Sequence, residues 1–106
     1  MSEAPTLSVV MPAYNERATI HEALRRVLAS PVDSLEIVVV DDGSTDRTAE
    51  VACNAGARVE SLGAVLGVGF AIRRGYEIAR AEGFDIAVVI AGAFGIMVFR
   101  YRKFGG

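Results

Sequence analysis

Two short polar segments each follow an apolar run that is typical of a buried strand. The first is PAYNE, residues 12–16, and the second is DDGSTD, residues 41–46. The second begins with two adjacent carboxylates directly after four β-branched residues, 37–40. Three explanations suit such a pair: a metal site, hydrogen bonds to the sugar or base of a nucleotide, or capping and turn formation before a helix.

The two carboxylates are poorly placed to bind one metal ion, because adjacent residues on a strand point to opposite faces of the sheet. Capping and turn formation stay open, since Gly43 supplies a permissive backbone and Ser44 a local hydrogen bond. We predict that Asp41 supports this turn and that Asp42 accepts hydrogen bonds from a nucleoside.

The upstream PAYNE segment favours the ligand explanation. The strands before the two segments are expected to be neighbours, and ligands of open α/β sheets bind at the carboxyl ends of the strands. Tyr14 is then placed to lie against a base or ribose. Glu16, like Asp42, is suited to a ribose diol or a base N–H group, because a carboxylate accepts two hydrogens at once.

The elements that would position these loops alternate between strand and helix. Strands are predicted at 7–11, 36–40, 57–61 and 84–90, and helices from about 20 to 28, 46 to 55 and 70 to 82. Pro12 should end the first strand because it cannot donate to a sheet ladder. Thr45 should N-cap the second helix. Apolar runs without alternation are typical of parallel strands, so we predict an α/β fold with a mostly parallel sheet and helices on both faces.

Length and composition indicate one small globular domain. The chain has 106 residues, 52% of them apolar and 23% charged, and its net charge of −2 gives no electrostatic basis for binding nucleic acid. The single cysteine, Cys53, is predicted to be a small buried hydrophobe, and His21 to be a surface residue. Cysteine usage and the absence of a basic segment before the N-terminal apolar run favour a cytoplasmic location.

Apolar side chains recur at helical spacing in the first helix and are predicted to face the core. They are Ile20, Ala23, Leu24, Val27 and Leu28. The longest apolar run, residues 86–99, falls short of the roughly 18 to 20 residues that span a bilayer. It is predicted to contain a buried strand. A shallow membrane contact is the alternative, because three cations, Arg100, Arg102 and Lys103, follow the run.

The glycine-rich segment LGAVLGVG, residues 62–69, precedes the third helix. It resembles the start of the dinucleotide fingerprint GxGxxG, but Ile72 stands where the third glycine would be, which disfavours a Rossmann-type oxidoreductase. The phosphate-loop pattern fails too, since Val68 follows Gly63 at the position of the second glycine. Phosphate binding by backbone N–H groups and a plain tight turn both stay open.

The sequence resembles the start of a family 2 glycosyltransferase, the nucleotide-sugar-binding half of a GT-A fold. The branch is that of dolichol-phosphate mannose synthases and related polyprenyl-phosphate glycosyltransferases. The resemblance rests on LSVVMPAYNE, LEIVVVDDGSTDRT and LGVGFAIRRGYEIARAEGFDIAVVI, and covers about residues 7–92. It implies that Pro12, Tyr14, Glu16, Val40 and Asp42 contact the nucleotide of a UDP- or GDP-linked sugar.

The resemblance breaks after the fourth strand. There the family carries an Asp-x-Asp motif whose carboxylates hold Mg²⁺ or Mn²⁺ against the sugar diphosphate, and the aligned residues here are Ala91-Gly92-Ala93. Alanine has no ligand atom, so no metal cofactor is expected for this chain. Losing such an electrostatic contribution typically costs several kcal/mol of barrier, on the order of 3 kcal/mol, so we expect impaired catalysis.

We therefore expect a single truncated nucleotide-sugar-binding domain, residues 1–106, with a divergent apolar and basic tail at 93–106. A truncated or frameshifted gene product, or a subunit completed by another chain, would explain this pattern. The alternative is a non-catalytic nucleotide-binding or regulatory module that docks a partner or a membrane through its tail. The free edge of the fourth strand should be covered by the tail or by a second copy, which predicts a homodimer or aggregation.

Overall fold

In a computed structural model, the chain folds into one sheet with helices on both faces. The structure describes residues 5–32, 35–91 and 95–101. The strands are β1 (Leu7–Ala13), β2 (Leu35–Asp41), β3 (Arg58–Ser61), β4 (Ile86–Ile90) and β5 (Ile96–Arg100). The helices are α1 (Arg17–Leu28), α2 (Thr48–Asn54) and α3 (Val68–Ala81). The strand order is β3-β2-β1-β4-β5, with β1 to β4 parallel and β5 antiparallel to β4, which confirms the predicted fold class.

Two hydrophobic cores lie on opposite faces of this sheet. The core under α1 and α2 consists of Val9, Met11, Ala13, Ile20, Leu24, Ile37, Val39, Ala52 and Ala57. The core under α3 consists of Val10, Val38, Val40, Ala71, Val89 and Ala91. Since β1 and β2 contribute side chains to both cores, their apolar runs do not alternate with polar residues. Each fully buried valine of these strands contributes about 1.5–3 kcal/mol to folding.

The helix α3 comes closest to the sheet at Gly75. A Cβ atom placed on Gly75 would lie 2.1 Å from Cγ1 of Val10 on β1, and Val10 is fully buried. The α3 helix can pack this close to β1 because Gly75 has no side chain.

The first strand does not stop at Pro12, as the sequence predicted, but continues to Ala13. The carbonyl of Ala13 accepts a hydrogen bond from the Asp42 N–H, so the backbone of Ala13 faces β2. Because successive residues of a strand face opposite sides, Pro12 turns its missing N–H toward β4. Pairing between β1 and β4 ends at Val10, so no ladder bond is lost at Pro12.

The second helix begins at Thr48 and not at Asp46, and Thr45 is not its N-cap. Arg47 has a left-handed backbone with φ of 70°, which excludes it from the helix. Cys53 is exposed, contrary to prediction. The buried positions of this helix are Thr48 and Ala52, four residues apart, and Cys53 turns away from them.

The apolar stripe of α1 is buried only in part. Ile20 and Leu24 lie in the core, and Ala23 and Val27 are packed against it. Leu28, predicted to face the core, is 52% exposed because it lies at the end of the helix, beyond the side chains of that core. His21 is exposed, as predicted.

The segment after β4 returns as β5, which pairs with β4 over Ile86–Ile90. Within the described residues, the β4 edge is therefore covered by the chain itself, one of the two outcomes that the sequence predicted. Residues 92–94 and 102–106 of the tail lie outside the described residues. None of the helices in the described parts of the chain has the length and hydropathy required to span a bilayer.

An aromatic cluster fixes β5 against α3. The Tyr101 hydroxyl donates to the Tyr76 carbonyl oxygen over 2.6 Å, and the two ring centroids lie 4.9 Å apart. Phe99 also contacts the Tyr76 ring, edge to face, with the ring centroids 5.2 Å apart. Burial, with a smaller contribution from Tyr76, raises the pKa of Tyr101 to about 12.

We expect the Tyr101 hydroxyl to ionise near pH 12, because its pKa is raised from 10.0 to about 12. Because the folded pKa of Tyr101 lies above its ordinary value of 10.0, its contribution to stability is complete below pH 10 and is lost as the pH rises through 12. Ultraviolet titration of tyrosinate measures this directly. Tyr101→Phe should remove the component near pH 12 and flatten the fall in stability above pH 10; a wild-type titration without that component would contradict the prediction.

Candidate functional site

Three loops meet at the carboxyl ends of the parallel strands. The first loop (residues 14–16) follows β1, the second loop (residues 42–47) follows β2, and the third loop (residues 62–67) follows β3. The order of strands reverses between β1 and β4, and this switch point is where open α/β sheets bind ligands.

The first and second loops are joined by side-chain hydrogen bonds. The Asn15 N–H donates to Ser44 Oγ over 2.9 Å, and the Thr45 N–H donates to Asn15 Oδ1 over 2.8 Å. The Glu16 N–H donates to Thr48 Oγ1 over 2.9 Å. Asn15 adopts a left-handed backbone with φ of 50°, a conformation that asparagine tolerates well. The predicted convergence of PAYNE and DDGSTD is therefore present.

Asp46 completes this connection by joining the starts of two helices. Its Oδ2 accepts from the Arg17 N–H over 3.1 Å, and its Oδ1 accepts from the N–H and the hydroxyl of Thr48. The Thr48 hydroxyl, followed by the Arg17 and Thr48 amides, holds the pKa of Asp46 below its ordinary value. A carboxylate is also favoured here because both helix N-termini carry partial positive charge.

The two adjacent carboxylates have different partners, as their opposite directions on the strand require. Asp41 Oδ1 accepts from the Ser44 N–H over 3.2 Å, which confirms that Asp41 supports the turn. Asp42 Oδ1 accepts from the Leu66 N–H over 2.7 Å, and both its oxygens accept from the Gly67 N–H, at 3.2 and 3.1 Å. Each aspartate is only 5% exposed. Asp42 thus anchors the third loop.

Gly43 lies directly under the third loop. A Cβ atom placed on Gly43 would lie 2.6 Å from both the Ala64 carbonyl carbon and the Val65 nitrogen, and its φ is +70°. Gly63 has a similar φ of +76°, but a Cβ there would meet nothing within 4 Å.

These two glycines form a matched pair for mutation. Gly63→Ala should cost only the backbone strain, about 1–2 kcal/mol. Gly43→Ala should cost the same strain and also displace the third loop, so its free energy of unfolding should fall by about 1–3 kcal/mol more. Denaturant unfolding of both variants measures the difference, and equal losses would show that the third loop does not pack on Gly43.

A small cavity of about 140 Å³ lies at the switch point. Pro12 of β1, Glu16 of the first loop and Ile90 of β4 line it, together with Met11, Thr19, Ile20 and Ala23. Pro12 and Glu16, two of the predicted site residues, therefore border one depression. The Glu16 side chain accepts from Thr19 Oγ1 over 3.0 Å and is exposed.

The remaining predicted site residues differ in what they offer a ligand. Tyr14 is 48% exposed, so its ring is accessible. Val40 is fully buried in the core under α3, so it offers no accessible side chain. The sequence reasoning missed Asn15, Ser44 and Thr48 as the residues that join the loops. The density of hydroxyl and amide side chains in NE and STDRT was the available signal.

The described residues do not fit a metal ion in the family's manner. No group of three or more His, Cys, Asp or Glu side chains among them is placed to hold one. Ala91, the first residue of the 91–93 tripeptide, is buried in the core under α3. Residues 92 and 93 lie outside the described residues.

The fold and the three joined loops place this chain among α/β proteins whose ligand-binding edge lies at the carboxyl ends of the strands. A profile of the family described as "Glycosyl transferase family 2" matches residues 8–92. The chain belongs to this family.

Relatives with known names and structures support this assignment. The undecaprenyl-phosphate 4-deoxy-4-formamido-L-arabinose transferase of Pseudomonas aeruginosa is 43% identical over 85 residues, which is 72% of this chain and 25% of the relative. Glucosyl-3-phosphoglycerate synthase from Mycobacterium tuberculosis, solved with Mn²⁺, UDP and glucosyl-3-phosphoglycerate, is 37% identical with a TM-score of 0.62, over 82% of this chain and 33% of that one.

A third structure extends the comparison to another nucleotide. A mannosyltransferase from Pyrobaculum calidifontis, solved with GDP-mannose and Mn²⁺, is 26% identical with a TM-score of 0.71. The match covers 85% of this chain and 28% of the mannosyltransferase. This chain thus spans about a quarter to a third of the length of these proteins.

Proposed function

We propose that this chain binds the nucleoside diphosphate part of a UDP- or GDP-linked sugar at the junction of its three loops. The family reaction is glycosyl transfer, and the acceptor proposed for the whole enzyme is a polyprenyl phosphate. The observation that carries the proposal is the set of hydrogen bonds that joins the PAYNE loop to the DDGSTD loop beside the switch point. Relatives solved with UDP or GDP-mannose support the ligand class.

Tyr14 and Glu16 are proposed to contact the ligand through exposed groups, whereas Asp42 and Val40 are buried and support the site from below. The exposed Tyr14 ring supplies an apolar face for a base or ribose. The Glu16 carboxylate, at the rim of the cavity that Pro12 also lines, accepts hydrogen bonds from sugar hydroxyls. Asp42 keeps the third loop closed and retains acceptor capacity on Oδ2, which receives a single shared N–H. Val40, one residue before the end of β2, is proposed to support the site from within the core under α3.

Sugar transfer by this chain alone is proposed to be impaired. A departing nucleoside diphosphate develops negative charge that a divalent cation can neutralise. Two of the relatives were solved with Mn²⁺. Ala91 offers no ligand atom for such a cation. The chain spans a quarter to a third of the three relatives described above, so acceptor binding is proposed for the whole enzyme and not for this domain alone.

A second candidate function is a non-catalytic nucleotide-binding or regulatory module. The burial of Ala91 in the core under α3 favours it, because this position then packs and does not ligate. In this proposal the domain, residues 1–106, binds nucleotide, and its tail, residues 93–106, contacts a partner or the membrane surface. We propose a cytoplasmic location with peripheral membrane association for both candidates. For the first, the polyprenyl phosphate acceptor lies in a membrane; for the second, the tail is proposed to contact a partner or the membrane surface.

Calorimetric titration with UDP and with GDP, each in Mn²⁺ and in chelator, tests the proposal. We expect binding of one nucleotide with an affinity that does not depend on Mn²⁺. Glu16→Gln should weaken binding, whereas Glu22→Gln, an exposed α1 residue paired with Arg25 and Arg26, should not. Absence of binding by either nucleotide would overturn the proposal. Mn²⁺-dependent binding with transfer to a polyprenyl phosphate would overturn the proposed impairment.

A further inference from the structure

The outer edge of β5 presents a row of backbone hydrogen-bonding groups. The Gly95 carbonyl accepts from the Ala91 N–H and the Tyr101 N–H donates to the Asp85 carbonyl, so odd-numbered residues of this segment face β4. Because backbone direction alternates along a strand, the N–H and C=O groups of Ile96, Val98 and Arg100 point outward. Within the described residues, β5 is the last strand of the sheet on this side.

The side chains of the same residues are apolar and exposed. Ile96 is 68% and Val98 is 65% exposed. Val98 pairs with Val88, which in turn pairs with Val9, so all three lie on the α1 face of the sheet. By contrast, Met97 and Phe99 pack against the core under α3.

The other edge of the sheet is protected in the way that natural edge strands usually are. On β3, Arg58 pairs with Glu36 and Glu82, and Glu60 pairs with Arg74. Charges on an edge strand discourage pairing with another chain. The β5 sequence IMVFR carries one charge, at its end, and no proline or glycine. The two edges therefore differ, and β5 is the one suited to accept another strand.

We propose that β5 pairs antiparallel with β5 of a second copy of this chain, about a two-fold axis at Val98. About that axis, Val98 of one copy lies opposite Val98 of the other, and Ile96 of each copy lies opposite Arg100 of the other. Each opposed pair exchanges two hydrogen bonds, so every outward backbone group finds a partner. The exposed Ile96 and Val98 side chains of both copies join one apolar strip that is covered by the aliphatic parts of Arg100.

A second copy is the occupant that this edge selects because the edge is complementary to itself. An isologous contact needs the same surface on both partners. The outward-facing backbone groups of Ile96, Val98 and Arg100 are arranged symmetrically about Val98 and meet that condition. The five-stranded sheets of the two copies would then form one continuous ten-stranded sheet across the axis.

Oligomeric state is the first test. Light scattering coupled to gel filtration should give twice the monomer mass at high concentration. Val98→Lys sets two like charges against each other at the axis and should give a monomer with unchanged circular dichroism. Leu28→Lys, which changes an exposed apolar side chain at the end of α1, should stay dimeric. A wild-type monomer at every concentration would overturn the proposal.

Cysteine cross-linking tests the register and does not depend on the lysine variant folding. In a Cys53→Ser background, Val98→Cys should form a disulfide-linked dimer under copper-catalysed oxidation, because the two Cα atoms would be about 5.5 Å apart. Ile96→Cys should not cross-link, since its two copies would be offset by four residues, about 14 Å. Cross-linking at Ile96 without Val98, or at neither, would overturn the pairing and favour a different occupant of the edge.

Discussion

Replacing Gly75 by alanine is expected to destabilise the fold by about 3 kcal/mol. The new methyl group would start 2.1 Å from Val10 Cγ1, 3.1 Å from Cγ2 and 3.2 Å from Cβ. Val10 has no room to turn away, because it is fully buried between β2, β4 and α3. The helix must therefore move off the sheet. For a domain of this size, thermal unfolding should shift down by on the order of 10 °C.

The matched control for this variant is Gly69→Ala, about one and two-thirds turns earlier on α3. A Cβ atom on Gly69 would meet nothing within 4 Å, so the only effect expected is the better helix propensity of alanine. That change favours folding by up to about 1 kcal/mol. The two variants should therefore move the melting temperature in opposite directions. A Gly75→Ala protein as stable as the wild type would mean that α3 does not pack on β1 as described.

Replacing Asp42 by asparagine should release the third loop and weaken nucleotide binding together. The carboxylate accepts from the Leu66 and Gly67 amides, and hydrogen bonds to a charged acceptor are worth about 2 kcal/mol each. The variant turns an N–H₂ group toward one of these donors. Hydrogen exchange at Leu66 and Gly67 should accelerate roughly 30-fold, since each 1.4 kcal/mol is a factor of ten.

Asp41→Asn is the control, because Asp41 is equally buried, adjacent in sequence and bonded to a different loop. Its amide should leave exchange at Leu66 and Gly67 unchanged. Under the proposed function, Asp42→Asn should also lower the affinity for UDP or GDP by more than about tenfold. Faster exchange with unchanged affinity would restrict Asp42 to positioning the loop. Unchanged exchange would contradict the anchoring contact itself.

The sequence was sufficient to predict the α/β class and the order of the elements. Unbroken β-branched runs such as 37–40 are typical of strands buried on both faces, and helical periodicity in α1 and α3 gave the layers. It also predicted that the PAYNE and DDGSTD loops meet, because the carboxyl ends of neighbouring parallel strands lie at one edge. These are local patterns combined with general rules of chain connection.

Other features required the tertiary structure. The start of α2 depends on Asn15 accepting from the Thr45 N–H and on Asp46 accepting from the Arg17 N–H. These two contacts cross about thirty residues, and no local pattern encodes them. The prediction that Cys53 is buried was wrong because the buried positions of α2 are Thr48 and Ala52, and Cys53 lies on another side of the helix. The path of the tail after β4 also follows from pairing with a distant edge and from the contact between Tyr101 and Tyr76.

The sequence by itself therefore determined the order of the strands β1 to β4 and of the helices between them, and which loops share an edge. Only the tertiary structure decided that Asp42 anchors the third loop, that Val40 is core, and that β5 is an open apolar edge. The physical reason is that periodicity and turn chemistry act over a few residues, whereas side-chain partners and strand edges are set by contacts between distant segments.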